Sequence, residues 1–262
     1  MLSESAALPP RWIDVAPERF PGWIVSFAGR HGAVGARPGV PGLASLRPGS
    51  AGAGRGAQET GPAAGEPAAV VFAAADGALA RCHAPFPPAP ALGAAPDPDQ
   101  AARLIAAHAA ADRTVGVLLV RLGGYAAGVF AGAPPRLAAS KVGSRLVHGR
   151  SAAGGQSQQR FARRREKQAA EALAAAADTA AGVFGRYGRP LDALVLGGDR
   201  RAVAGLRDDP RLRGYFAVAV ERFLTVPDPR LAVLRETPRK FRAIRVQLTE
   251  PAPPGRLVHD EP

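Results

Sequence analysis

Two hydrophobic periods alternate along the chain, and the switches between them outline its elements. Phe20, Trp23, Ile24 and Phe27 recur at helical spacing within 17–32, which predicts a short helix with Pro21 in its first turn. The stretch "AAVVFAAADGALARCHAPF" (68–86) reads as two strands about an Asp76-Gly77 turn, a strong hairpin signal. A proline-rich connector at 85–98 leads to a helix starting near Asp99. "TVGVLLVRLGG", "YAAGVFAGAPP" and "RLAASKVGSRLV" then predict three successive strands, the first two joined at Gly123-Gly124 and the next pair at Pro134-Pro135. A helix is predicted from Ser157, a suitable N-cap, to Phe184, where Gly185, Gly188 and Pro190 end it. Its apolar stripe is Ala169, Leu173, Ala176, Ala180 and Val183. "LDALVLGGD" (191–199) is a further strand entering a tight turn, followed by a short helix to about Leu206. "PRLAVLRETPRKF" and "RAIRVQL" predict a final helix and strand.

Strands alternating with helices beyond residue 112 argue an α/β layer structure. From Ala36 to Ala68 the chain is glycine, alanine, proline and serine with almost no large apolar residue. Such a stretch buries too little surface to offset its ordering entropy and is expected to be a flexible insertion. The expected organisation is a small N-terminal α+β module over 1–111 carrying the insertion 36–68, an α/β domain over 112–250, and a tail over 251–262.

Charge narrows the class of partner. The chain has 262 residues and a formal net charge of +12, which points to a polyanion. The single cysteine, Cys82, excludes an internal disulfide framework and fits a reducing cytoplasm. The N-terminus carries acidic residues and prolines where a signal peptide needs a basic start and an apolar run. No run approaches the roughly 20 apolar residues of a membrane span. A soluble, cytoplasmic protein without a membrane association is expected.

The densest chemistry lies in "HGRSAAGGQSQQRFARRREKQ" (148–168). Gly149 and Gly154 have the spacing of a phosphate-binding loop, but Gly155 and Gln156 stand where that loop needs lysine and a hydroxyl. "GAGRGA" at 52–57 imitates a dinucleotide fingerprint without a preceding strand. The histidines are scattered, Cys82-His83 is an isolated pair, and no GxSxG elbow is present, so no metal site or nucleophilic serine is supported. In the following helix Arg160, Arg163, Arg164 and Lys167 share one face, with Arg165 on the neighbouring one. Glu166 is the only acid there before Glu171, whereas solvated faces normally mix signs. Arg145 and Arg150 add cations ahead of the loop, and a helix N-terminus favours anions. These residues form an arm suited to a nucleic-acid backbone that carries a glutamine to a fixed point.

The same residues resemble the catalytic loop of eukaryotic and archaeal class I release factors, with Ser151-Ala152-Ala153 inserted and without their Asn-Ile-Lys-Ser motif. The resemblance is closer to the Vms/ANKZF-type branch and its actinobacterial release-factor-like peptidyl-tRNA hydrolases. "GVLLVRLGGYAAGVF", "LDALVLGGDRRAV" and "DPRLRG" also match that branch, over roughly residues 112–250. The resemblance implies a release-factor middle-domain fold, a mixed sheet flanked by helices with ribonuclease H-like layers. It implies codon-independent hydrolysis of peptidyl-tRNA on stalled ribosomes or large subunits, with no cofactor or metal and with the chain a monomer. Gln156, presented by Gly154 and Gly155, would position water at the ester. Arg145, Arg150, Arg160, Arg163, Arg164, Arg165 and Lys167 would hold RNA, with His148 and Ser157 as auxiliary positions. Eukaryotic relatives are linked instead to cutting tRNA near its 3′ end, and a non-catalytic RNA- or ribosome-binding protein is the alternative of another class.

Overall fold

Five short segments assemble an antiparallel sheet in the order β1-β10-β4-β3-β2, with apolar alternation clearest in the last of them along the chain, where Ile244, Val246 and Leu248 are buried. They are β1 (Arg11–Val15), β2 (Val34–Pro38), β3 (Ala69–Ala74), β4 (Leu79–His83) and, from the far end of the chain, β10 (Ile244–Thr249). The computed structural model describes residues 8–39, 69–92, 96–121, 123–144 and 157–251, with residue 69 and residues 157–165 as backbone alone. Two units are present: Met1–Ala109 with Ala243–Pro262, and Ala110–Arg242.

In the first unit, α1 (Phe20–His31) and α2 (Pro98–Ala110) cover one face of the sheet. Phe20, Ile24 and Phe27 from α1 and Ala101, Ala102 and Ile105 from α2 form one core with Val70, Phe72, Ala80, Cys82, Ile244, Val246 and Leu248. Pro21 sits in the first turn of α1, where its missing N–H has no partner to lose. Trp23 stacks between Phe20 and Phe27 at centroid distances of 6.2 and 5.7 Å. The Asp-Gly turn joins β3 to β4 as the alternation predicts: Gly77 has φ 91°, and Asp76 Oδ1 accepts from the Ala78 N–H at 2.9 Å.

Two boundaries differ from the sequence-based expectation. The strand at 244–249, assigned above to the second domain, lies between β1 and β4, with Val246 opposite both Ile13 and Cys82. Its alternation identifies a strand but not a partner, since pairing across the chain is chosen by which buried face it completes. The segment taken as an insertion from Ala36 begins inside β2, where Ala36 pairs with Phe72 and Pro38 with Val70. An edge strand tolerates the proline and the small residues that made the stretch look unstructured. The rest of that insertion, from 40 to 68, lies outside the described residues.

The second unit is a mixed sheet in the order β7-β6-β5-β8-β9, with helices on both faces. Its strands are β5 (Val115–Arg121), β6 (Gly124–Ala131), β7 (Arg136–Ser144), β8 (Ala193–Gly198) and β9 (Ala219–Leu224). The hairpins β5-β6 and β6-β7 are antiparallel, whereas β8 runs parallel to β5 and β9 parallel to β8. β5 is buried along nearly its whole length, as its unbroken apolar run requires of a central strand covered on both sides. The long helix α3 (Ser157–Tyr187) packs Ala176, Ala180, Val183 and Phe184 on Leu118, Val120, Ala127 and Val129. Ala169, placed in this stripe by spacing, is exposed, and burial starts at Ala172. The short helices α4 (Arg200–Gly205) and α5 (Arg213–Phe216) follow β8.

On the opposite face lies α6 (Leu231–Phe241), whose Phe241 meets Phe130 edge-on at 5.8 Å. Pro238 inside α6 deprives the Leu234 carbonyl of its helical donor. The buried Thr237 hydroxyl donates to that carbonyl at 2.7 Å instead, so the helix continues through the proline.

Candidate functional site at the carboxyl edge of the second sheet

β6 is antiparallel to both β5 and β7, so β5 and β7 point the same way, and β8 and β9 join them. The carboxyl ends of four strands therefore share one edge. The register fixes the order of residues along it: Ser144 faces Gly124, Gly124 faces Arg121, Val120 faces Gly198, and Gly197 faces Leu224. Open α/β sheets bind ligands at this kind of edge, because strand ends and helix starts meet there.

Both glycine pairs that flank this edge are needed by its backbone. Gly198 has φ 102°, and a Cβ there would collide with the Val120 carbonyl. That carbonyl accepts from the Asp199 N–H at 2.7 Å. Asp199 in turn caps α4, its Oδ1 accepting from the N–H groups of Arg201 and Ala202 at 2.8 and 3.2 Å. Gly123 turns β5 into β6 with φ 86°. Glycine alone enters these positive-φ turns without strain.

Between the β5-β6 turn, the end of β7 and the connector into α6 is a cleft of ≈ 450 Å³. Arg121, Gly124, Gly143, Ser144, Asp228 and Arg230 are among the residues lining it. The Arg121 guanidinium donates to the Val226 carbonyl at 2.9 Å, which ties the central strand to the connector. Arg230 precedes the first turn of α6 with extended backbone and makes no side-chain cap. Arg200 extends from the start of α4 over the Phe223 ring, 4.4 Å from its centroid. With Arg201 beside it, the described residues of the edge include four arginines against Asp199 and Asp228, and Asp199 is engaged in capping. The balance favours an anion.

The glutamine segment connects this edge to α3. Ser144 ends β7 and Ser157 begins α3. Gly154, Gly155 and Gln156 lie outside the described residues, as do Arg145, His148 and Arg150. Arg160, Arg163, Arg164 and Arg165 fall in the first turns of α3, described by backbone, and Ser157 is its first residue. At about 100° per residue, positions 160, 163, 164 and 167 follow one side of the helix axis. Lys167 is exposed, and from Glu166 to Glu171 no side chain is buried. The sheet thus grips α3 from Ala172 onward.

Other chemistry is sparse among the described residues. They contain no group of three or more histidine, cysteine or acidic side chains that could hold a metal ion. None of their helices is long and apolar enough to cross a membrane. Cys82 is buried in the first unit, and burial pushes its thiol well above the ordinary cysteine pKa, so it is no nucleophile. Nδ1 of His31 lies 2.8 Å from Asp76 Oδ2, and Nε2 of His108 lies 3.0 Å from the Phe86 carbonyl oxygen. Arg121 and Arg230 escape sequence reasoning because their convergence depends on a crossover of some hundred residues. The signal was present in the pairs Gly123-Gly124 and Gly197-Gly198, which look commonplace until the register sets them on one edge.

Residues 113–247 match the family described as the Actinobacteria/chloroflexi VLRF1 release factor. That stretch covers β5 to β9, α3 to α6 and most of β10. Among solved structures, the crystal structure of an archaeal translation termination factor, aRF1, is similar at 11% identity with a TM-score of 0.33. The match covers 67% of this chain and 50% of that one, so the chain spans about half the length of the archaeal factor. No curated protein sequence matches.

Proposed function

Since the chain belongs to the Actinobacteria/chloroflexi VLRF1 release-factor family, we propose that it hydrolyses peptidyl-tRNA, independently of a codon, on stalled ribosomes or separated large subunits. The observation that carries the reading is the family match across 113–247, a stretch whose sequence includes Gly154-Gly155-Gln156 followed by the arginine-rich start of α3. The anion-favouring edge supports it, because the segment bearing the glutamine is anchored between Ser144 on that edge and Ser157.

In this reading the ester is already reactive, and catalysis consists of holding water in line and stabilising the developing oxyanion. Gly154 and Gly155 permit backbone angles that present the Gln156 N–H together with its side-chain amide. That amide donates and accepts, so it orients water without ionising. Arg160, Arg163, Arg164 and Lys167 follow the RNA backbone and contribute affinity rather than chemistry. Arg145, Arg150 and Arg165 extend the same contact. His148 and Ser157 flank the glutamine as auxiliary polar groups. The protein acts as a monomer in the cytoplasm, and ribosomal RNA with the tRNA terminal ribose supplies the remaining catalytic groups.

The reaction is decided at the tRNA end. Hydrolysis adds water across the ester, leaving a free peptide and a tRNA that accepts an amino acid again. Attack by a ribose 2′-hydroxyl on the adjacent phosphodiester would instead leave a shortened tRNA ending in a cyclic phosphate, with nucleotides still on the peptide. Purified protein is added to stalled ribosome complexes for a single turnover, and the tRNA is then re-aminoacylated and its end sequenced. An intact, rechargeable terminus supports hydrolysis. A truncated terminus rejects it, and an unreacted complex leaves only a binding role.

A further inference from the structure

The five-stranded sheet of the first unit buries one face under α1 and α2, and among the described residues no helix of that unit covers the other. The alternation of each strand assigns Trp12 and Asp14 of β1, Arg245 of β10, Arg81 and His83 of β4, and Arg37 of β2 to this second face. The register makes them neighbours. Arg245 lies between Asp14 and His83, while Arg81 and Arg37 both stand opposite Val71 of β3, about 10 Å apart across three strands. Asp14 is the single acid among these outward positions.

Trp12 is held yet accessible. The Arg245 guanidinium lies 4.3 Å from its ring centroid and the His83 ring 5.4 Å away, but the residue remains 48% exposed. A tryptophan oriented by a cation and left half open is a stacking platform, and the arginines across the strands supply charge for a backbone. Val71, the aliphatic side chain at the centre of the face, is only 8% exposed, so the surface offers an aromatic ring and cations rather than grease. That chemistry suits unpaired bases with their phosphates and not an apolar protein segment.

We propose that this face binds single-stranded RNA, with a base stacked on Trp12 and phosphates on Arg245, Arg81 and Arg37. The surface lies on β1 to β4 and the last strand, almost wholly outside the stretch the family match covers. It is independent of the glutamine segment, and its test uses no peptidyl-tRNA.

The full-length protein is titrated with a single-stranded oligouridylate while tryptophan emission is followed. The chain holds two tryptophans, and Trp23 is packed between phenylalanines, so the difference between wild type and Trp12→Phe isolates the Trp12 signal. Quenching of that signal in step with binding is expected. Trp12→Ala should weaken binding by roughly tenfold and Trp12→Phe by less, since a ring is kept. The triple change Arg37→Gln, Arg81→Gln, Arg245→Gln should flatten the dependence of log affinity on log salt by roughly two units. Circular dichroism melts check that each variant is folded, and Gln156→Ala should bind the oligomer like wild type. The proposal is overturned by RNA that binds without changing Trp12 emission, by a folded triple variant with unaltered salt slope, or by a wild-type protein that ignores the oligomer.

Discussion

Arg121 at the end of the central strand and Val226 in the connector to α6 are joined by a 2.9 Å hydrogen bond across 105 positions of sequence. It is a charged donor on a carbonyl in a partly buried setting, and it fastens one wall of the cleft to the other. Arg121→Met keeps much of the stem but removes the donor. The expected loss is about 1–2 kcal/mol, read from urea unfolding of the full chain; an unchanged midpoint would mean that water replaces the guanidinium without cost.

Gly198 tests the geometry of the edge more severely. Its φ of 102° and the Val120 carbonyl leave no room for a Cβ. Gly198→Ala is expected to destabilise the protein by about 2–4 kcal/mol, through strain and displacement of the Asp199 turn. Gly214→Ala, where a Cβ meets nothing within 4 Å, is the control and should change the unfolding midpoint little.

The proline in α6 gives a test of hydrogen-bond substitution. Thr237→Val preserves shape and leaves the Leu234 carbonyl without a donor in a buried site. A loss of about 1–2 kcal/mol is expected. The double variant Thr237→Val, Pro238→Ala should recover most of it, because the alanine N–H returns the helical donor. Additive losses in the denaturant melts would contradict this account.

Gln156→Ala should abolish nascent-chain release from stalled complexes while the melting temperature and ribosome co-sedimentation stay near wild type. A polar residue in a glycine-flanked stretch of sequence is expected to contribute little to stability. Full release by the alanine variant would sink the positioning role of the amide.

Acidification should act on the first unit through Asp76. The Ala78 N–H and then His31 hold its carboxyl below the ordinary value of 3.8. A depressed folded pKa contributes stability that is present above the unfolded value and lost as pH falls through the folded one. Asp76→Asn should therefore cost stability at neutral pH, and the gap to wild type should close below about pH 4. A gap that widens on acidification, measured as urea midpoints against pH, would reverse the sign and refute the assignment.

Local periods made much of this molecule legible. The stripe Phe20-Ile24-Phe27, the Asp76-Gly77 turn, the unbroken run of β5 and the long α3 each carry their cause within a few residues, because helical and strand repeats and turn chemistry are short-range. The strands β1, β2 and β9 escaped for the converse reason. They are only five or six residues long, β1 and β2 have weak alternation, and they become strands by completing a sheet whose other members lie far off in sequence. Partner choice was likewise nonlocal: "RAIRVQL" announces a strand, but burying Ile244, Val246 and Leu248 against α1 and α2 decides which sheet receives it. The roles of the glutamine and its arginines are an expectation from the sequence alone, since Gln156 lies outside the described residues. That two ordinary glycine pairs, Arg121 and Arg230 meet on one edge, and that Trp12 and Arg245 share one sheet face, followed only from register, since proximity across a sheet is a property of pairing and not of the chain.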